Sequence, residues 1–339
     1  MSRNRHRWRS LLFVPADNSR QIEKASSRGA DALILDLEDA VAPPGKPAAR
    51  KGLPGVIDAL AGQGAEILVR INSGVADLDA DLDAAIRVGV QALVVPKVED
   101  PADLRAIDAR LTEAETARGL PVGGIGLVAL IETPGAVFRL PDIATAPRLI
   151  GLALGSEDFA LSLGVVPSAA CLQLPCQMLA LAAAAQGLMG FGLPHSIADF
   201  THLDAYRAAA ISAAAMGLTG GFCIHPAQLP IINDVFGVSA TEVDWARGVL
   251  AAWEAAQRSG ASVIALDGQM IDKPVVERAQ AIVRPRVDRG LQPLERRMGS
   301  GGVDAPSPKG RCTRTESVQR PNLKPIAGSK PARMKPKAS

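Results

Sequence analysis

The sequence predicts an α/β fold, a (β/α)8 barrel carrying a C-terminal helical lid extension. Three observations point to it. Eight short apolar runs alternate with helix-patterned stretches, each run is apolar throughout, and no Gly-x-Gly-x-x-Gly follows the first run. Strands alternating with helices form right-handed βαβ units and a parallel sheet. A parallel strand covered on both faces is continuously apolar. The missing glycine fingerprint disfavours a doubly wound dinucleotide-binding sheet.

The expected strands, in order, are SLLFVPA (10–16), ALILDLE (32–38), EILVRIN (66–72), ALVVPKV (92–98), IGLVALIE (125–132), LIGLALG (149–155), LMGFGLP (188–194) and GGFCIHP (220–226). Segments such as 18–28, 77–89, 101–118, 168–186 and 199–217 are long and Ala-rich enough to be the intervening helices. Residues 1–238 make the barrel. The extension, 239–289, comprises a helical stretch (239–259), a Gly-containing loop (260–272) and a short helix (274–283). Residues 290–339 are rich in Pro, Gly, Ser, Lys and Arg, a composition expected to stay disordered.

Charge is unevenly spread. The formal net charge is +2, yet residues 290–339 hold eleven Lys/Arg against three Asp/Glu, so the body is mildly acidic and the tail basic. The tail lacks aromatic interleaving, and nucleic acid is not expected as a partner. Cys171, Cys176, Cys223 and Cys312 form no Cys-x-x-Cys pair and read as reduced thiols of a cytoplasmic protein. The apolar run after the basic N-terminus is too short for a signal peptide, and no membrane-spanning segment is expected.

In such a barrel, chemistry belongs at the carboxyl ends of the strands. Those ends carry Asp36, Glu38 and Asp39 (second strand), Arg70 and Asn72 (third) and Lys97 (fourth). Glu132 ends the fifth strand, Asp158 follows the sixth and His225 ends the eighth. Two carboxylates from adjacent strands, completed by water and substrate oxygens, suit Mg2+ or Mn2+. Glu132 and Asp158 are therefore the candidate metal ligands, with helix capping as their alternative role. Arg70 needs an anionic partner. A substrate carboxylate would suit its fork, as would a structural ion pair with Asp36 or Glu38. Asp36, Glu38, Asp39 and Lys97 are expected to stand behind the reacting groups and orient them.

The motifs RSLLFVPADN, GADALILDLEDAVAP, LVRIN, LVVPKVE, ALIETPGAV, LALGSEDFALSLG, CIHPAQ and DGQMIDKP occur in this order over residues 9–283. The chain thereby resembles the citrate lyase beta subunit-like branch of the HpcH/HpaI aldolase superfamily, which includes malyl-CoA and citramalyl-CoA lyases. The resemblance implies an oligomeric barrel, a trimer or hexamer, with Mg2+ on Glu132 and Asp158. It further implies substrate contacts at Phe13, Arg20, Lys24 and Arg70, and contacts to the CoA portion at Ile224 and His225. Its substrates would be CoA thioesters and 2-oxo acids. Asp272, in GQMID, matches an Asp that in CoA lyases of this family reaches a neighbouring subunit's site as acid/base; a helix N-cap is its alternative role.

The implied reaction is Mg2+-dependent, reversible cleavage of a carboxylated 3-hydroxy-acyl-CoA to acetyl-CoA and a 2-oxo acid. Malate synthase-like condensation with thioester hydrolysis stays open, as does a class II pyruvate aldolase without CoA. Those aldolases usually carry His where Asp39 stands, which favours the CoA branch. Two departures bear on specificity: Pro15-Ala16 replaces the usual Pro-Gly, and Gly192 stands where relatives commonly carry an Asp.

Overall fold

The computed structural model describes residues 8–258 and 263–283. All eight expected runs become parallel strands: β1 (Ser10–Pro15), β2 (Ala32–Asp36), β3 (Ile67–Arg70), β4 (Val90–Val95), β5 (Gly126–Ile131), β6 (Leu149–Leu154), β7 (Met189–Phe191) and β8 (Gly221–Cys223). Their order is β7-β6-β5-β4-β3-β2-β1-β8, and a parallel bridge between Phe191 and Gly220 joins the two ends. The barrel is thus nearly closed, as the alternating pattern predicts.

Around it lie α1 (Ser19–Ala25), α2 (Lys46–Gly62), α3 (Val75–Ala85), α4 (Pro101–Ala117), α5 (Pro134–Phe138), α6 (Leu140–Ile143), α7 (Ser156–Ser162), α8 (Ala169–Gln186), α9 (Leu203–Met216) and α10 (Leu229–Val235). Local chemistry sets their ends. Asp100 accepts from the N–H of Ala102 at 2.8 Å, and Pro101 fills the first position of α4, where a missing donor costs nothing. Gly187 and Gly217 close α8 and α9 at φ +67° and +98°.

Alternate residues along each strand serve two cores. Leu11, Ile34, Leu68, Val94, Val128 and Phe191 point into the lumen, with Trp8 packed among them. Leu12, Leu33, Val69, Leu93 and Leu127 point outward to meet the helices. Because both faces are covered, neither tolerates polar residues, and polarity is pushed to the strand ends.

By length and composition alone α8 is long and apolar enough to cross a membrane, a test that a core helix passes as well. Leu172, Cys176, Leu179 and Ala183 on α8 are buried in the barrel's outer core, whereas Leu174 and Leu181 on the same helix are exposed.

Beyond the barrel come α11 (Ala240–Gln257), β9 (Ile264–Leu266), β10 (Gln269–Ile271) and α12 (Lys273–Val283). The expected loop over 260–272 is instead a β-hairpin where it is described. Asp267 and Gly268, at φ +48° and +75°, form the two-residue turn that matches the twist of antiparallel strands. Ala246, Val249, Ile271, Val276 and Ala279 form a small core of their own, and the Arg278 guanidinium stacks 4.5 Å from the Trp245 ring centre. The expected disordered tail, 290–339, lies outside the described residues, as does Cys312; Cys171, Cys176 and Cys223 are free thiols.

Candidate active site

The register that pairs β2 with β3 sets Asp36 opposite Arg70 at the carboxyl rim. Arg70 Nε donates to Asp36 Oδ1 at 2.7 Å and Nη2 donates to Oδ2 at 2.6 Å. Asp36 also accepts from the backbone N–H groups of Glu38 (2.9 Å) and Ala40 (3.1 Å), which tightens the loop after β2. Arg70 Nη1 reaches Glu38 at 3.0 Å and Asp39 at 3.3 Å, and the guanidinium lies 4.8 Å from the Phe13 ring centre. Burial by itself would weaken the Arg70 charge. The hydrogen bonds and charge of Asp36, with Glu38 and Asp39, more than reverse that and hold its pKa above the ordinary value. One edge of the Arg70 fork is therefore filled by Asp36, while Nη1 is shared between the buried Glu38 and the exposed Asp39.

Asn72 ties the same loop down. Its Nδ2 donates to Leu37 O at 2.9 Å and to Asp81 Oδ2 at 2.7 Å, and its backbone N–H donates to Asp81 at 2.7 Å. Lys46 reaches the remaining Asn72 oxygen.

Lys97 follows β4 in the left-handed region at φ +54°. That geometry aims its backbone N–H at Glu132 Oε2 (2.8 Å), while its ammonium lies 3.3 Å from Glu38 Oε1. The Glu38 charge raises the Lys97 pKa against the opposing effect of burial. Burial raises the Glu38 pKa in turn, with Arg70 pulling the other way.

Glu132, just beyond β5, is 4% exposed. Burial and then the neighbouring Asp158 charge push its carboxyl up to about 7. Capping is not its role: Thr133 caps α5, its hydroxyl accepting from the N–H of Ala136 at 3.2 Å. Asp158 lies in the first turn of α7, where a carboxylate also meets the positive helix end. Gly155 makes room for the Glu132 side chain. A Cβ there would stand 2.7 Å from Glu132 Cγ and 3.0 Å from its Oε1.

A cavity of about 460 Å3 opens at this rim. Phe13, Asp36, Asp39, Arg70, Glu132, Asp158 and Ile224 all line it. Glu38 and Lys97 are absent from that lining and touch Arg70 and Glu132 from behind. Arg20 and Lys24 are exposed on α1, which presents Gln21 to the cavity instead. His225 is exposed, its Nδ1 accepting from the N–H of Ala227 at 3.2 Å and its ring stacked 4.6 Å from Phe200. Asp272 is also outside the lining; its Oδ1 accepts from the N–H of Val275 at 3.3 Å, so within one chain it caps α12.

The family model described as HpcH/HpaI aldolase/citrate lyase matches residues 9–226. The chain belongs to the HpcH/HpaI aldolase/citrate lyase family. It is an enzyme of the carbon–carbon lyase class that this family comprises. It is 34% identical over 284 residues to citrate lyase subunit beta of Escherichia coli strain K12, a match covering 81% of this chain and 92% of that protein. It is also 34% identical over 280 residues to a (3S)-malyl-CoA thioesterase of Cereibacter sphaeroides, covering 80% and 92%. The CitE protein of Mycobacterium tuberculosis, solved with magnesium, acetoacetate and coenzyme A, superposes with a TM-score of 0.64 at 31% identity, over 83% of this chain and 99% of that one.

Family resemblance gave no notice of several cavity residues. Glu157, His195, Tyr206 and Phe222 line the wall beside Gln21; Glu157 stands in the LALGSEDFALSLG motif without a role assigned to it, and the other three lie outside the quoted motifs. His195 was visible only as one of four histidines.

The residues present suit a hard divalent cation. Glu132 and Asp158 supply oxygen donors; burial first and then the Asp158 charge disfavour the Glu132 anion, which a bound cation would stabilise. Among the described residues no three His, Cys, Asp or Glu side chains converge as a metal cage. The shell would thus be completed by water and substrate, as Mg2+ favours.

Proposed function

We propose that this chain is a Mg2+-dependent lyase that reversibly cleaves a carboxylated 3-hydroxy-acyl-CoA, of malyl, citramalyl or citryl type, to acetyl-CoA and a 2-oxo acid. The observation that carries this reading is the placement of Glu132 and Asp158 on one cavity with Arg70. Glu132 and Asp158 would hold Mg2+, which supplies charge neutralisation at the hydroxyl and carboxylate oxygens as the carbonyl forms.

The protein's own groups do the rest. Arg70, fixed by Asp36, would take the substrate carboxylate at Nη1 in place of the exposed Asp39, which stands 3.3 Å away. The Lys97 N–H holds Glu132 in orientation. Phe13, Leu154 and Ile224 give the cavity apolar walls that exclude water from the reacting carbon. Asp272 could act on the reaction only from a neighbouring subunit, and this role belongs to a homo-oligomeric form of the proposal.

A CoA substrate is supported by the CitE relative, whose structure contains coenzyme A. Thioester hydrolysis is a second reading, supported by the 34% identity to a (3S)-malyl-CoA thioesterase. The test is incubation of acetyl-CoA or propionyl-CoA with Mg2+ and each of glyoxylate, pyruvate and oxaloacetate, read by mass spectrometry. An adduct that reverts to acyl-CoA supports the lyase; free CoA accumulating with the hydroxy acid supports hydrolysis. No product from any pair, with Glu132→Ala indistinguishable from wild type, would sink both.

A further inference from the structure

We propose that the cavity takes a 2-oxo acid whose only carboxylate stands beside the carbonyl, of the glyoxylate and pyruvate class, and rejects one with a second carboxylate, such as oxaloacetate. The thioester it cleaves is then of malyl or citramalyl type, not citryl. This assignment rests on the lyase reading above and deepens it by naming the acid.

Glyoxylate, pyruvate and oxaloacetate differ in a single substituent, which is a hydrogen, a methyl or a carboxymethyl group. A carboxylate taken from water into a cavity needs a cation or several donors to face it. The cavity wall carries five carboxylates, from Asp36, Asp39, Glu132, Glu157 and Asp158, against the guanidinium of Arg70 and the imidazole of His195.

The charges can be paired one by one. Asp36 holds Arg70 at two points. Glu38, behind the wall, is matched by the Lys97 ammonium at 3.3 Å. Glu132 and Asp158 would balance one divalent cation. Asp39 and Glu157 remain, and both face the cavity. The first substrate carboxylate has a seat, because Asp39 is 59% exposed and can turn to water when it is displaced from Arg70 Nη1. A second carboxylate meets only the excess of negative charge.

The other donors on this rim are engaged or neutral. His195 Nε2 makes no hydrogen bond, but at 3.5 Å the Asp199 carboxylate offsets any charge on the ring. Tyr206 donates its hydroxyl to Phe222 O at 3.1 Å, and the Ser156 hydroxyl is turned to Glu157 at 3.4 Å. The first turn of α7 carries Glu157 and Asp158, so its positive end is already met by two carboxylates. Gln21 adds an amide, which is neutral. Lys46 and Lys97 lie outside the lining among the described residues.

The wall next to the candidate metal ligands suits an apolar substituent. Leu130 and Leu154 come from the strands that Glu132 and Asp158 follow, and Leu193 stands just beyond the neighbouring β7. Gly192 lets this wall close up. Its N–H is spent on Gly220 O at 3.2 Å, and a Cβ there would stand 3.2 Å from Leu154 Cβ. A hydrogen or methyl substituent meets carbon on such a wall, whereas a carboxylate would lose water without gaining a partner.

The test is condensation of acetyl-CoA, in excess Mg2+ and with the full-length protein, with pyruvate, 2-oxobutanoate and fresh oxaloacetate, each adduct being identified by mass. 2-Oxobutanoate and oxaloacetate are close in size and differ by a methyl against a carboxylate, so they separate charge from bulk. Because an unmatched like charge is costly, kcat/KM should be about 100-fold higher for pyruvate than for oxaloacetate, with 2-oxobutanoate close to pyruvate. Glu157→Gln keeps an oxygen to accept from Ser196 and removes one wall charge. It should raise the oxaloacetate-to-pyruvate ratio of kcat/KM about fivefold. Citryl-CoA formed as readily as citramalyl-CoA overturns the assignment and leaves the lyase reading standing. Rejection of 2-oxobutanoate together with oxaloacetate makes bulk the limit and overturns it too. If no acid gives an adduct, the lyase reading fails and binding decides the rest. A rise in melting temperature with Mg2+ and 2-oxobutanoate, but not with Mg2+ and oxaloacetate, then supports the charge argument, and equal rises overturn it.

Discussion

Asp36 and Arg70 meet as a two-point pair across β2 and β3, at 2.7 and 2.6 Å, with Asp36 1% exposed. The pair fixes the guanidinium plane before substrate arrives, which lowers the ordering cost of binding. Lysine cannot fork onto both Asp36 oxygens. Arg70→Lys should fold, keep its Mg2+ affinity, and lose about 100-fold in kcat/KM. Asp36→Asn leaves the buried guanidinium short of its main counter-charge and should cost about 3 kcal/mol in chemical denaturation.

A buried Glu132 carboxyl at about 7 gives the metal-free protein a distinct pH response. The folded state holds a proton that the unfolded chain releases near the ordinary carboxylate value. That stabilisation is complete below the unfolded value and is lost as pH rises through about 7. Metal binding needs the ionised form. Mg2+ affinity should therefore climb about tenfold per pH unit below the folded value and level off above it. Calorimetry in buffers of different ionisation enthalpy would show one proton released at about pH 6. Glu132→Gln should remove both the proton release and the tight Mg2+ site.

Much of the barrel was legible because each strand is covered on two sides, which writes an apolar run into the chain that ends where the rim begins. Asp36, Glu132 and Asp158 could be read for the same reason: each breaks or follows such a run at its carboxyl end. The facing of a short helix was not legible. Arg20 and Lys24 flank Gln21 on α1, yet only Gln21 meets the cavity. His195 lies in a loop without periodicity and reaches the cavity only once that loop is folded. The β9–β10 hairpin has strands of three residues each, too short for an alternating pattern, although Asp267-Gly268 marked its turn.

Gly155 has a backbone, φ −82° and ψ 92°, that alanine can also adopt, so its role is one of space. A methyl group there would collide with Glu132 at 2.7 Å from Cγ. Gly155→Ala should keep the barrel's melting temperature within a few degrees and displace the Glu132 carboxylate. A shift of that size is expected to cost about 100-fold in kcat/KM. Excess Mg2+ should recover part of the loss, and a variant with wild-type Mg2+ affinity would show that Glu132 had not moved.

The opposite end of the barrel should answer to stability alone. Arg148 precedes β6 at the amino-terminal face and is buried, with Nη1 2.8 Å from Glu115 Oε2 and Nη2 donating to Thr112 at 2.8 Å. It also pairs with Asp108. Glu115 in turn accepts from the N–H groups of Gly123 (2.8 Å) and Ile125 (3.0 Å), so this network holds the chain entering β5. Arg148→Met removes the cation and leaves the fully buried Glu115 charge without its partner. The expected cost is about 3–5 kcal/mol, enough to lower the melting temperature by roughly 10 °C. Below that transition, kcat/KM and Mg2+ affinity should equal those of wild type, because no group of the network reaches the carboxyl rim. A loss of activity in the folded variant would mean that the two ends of the barrel are coupled.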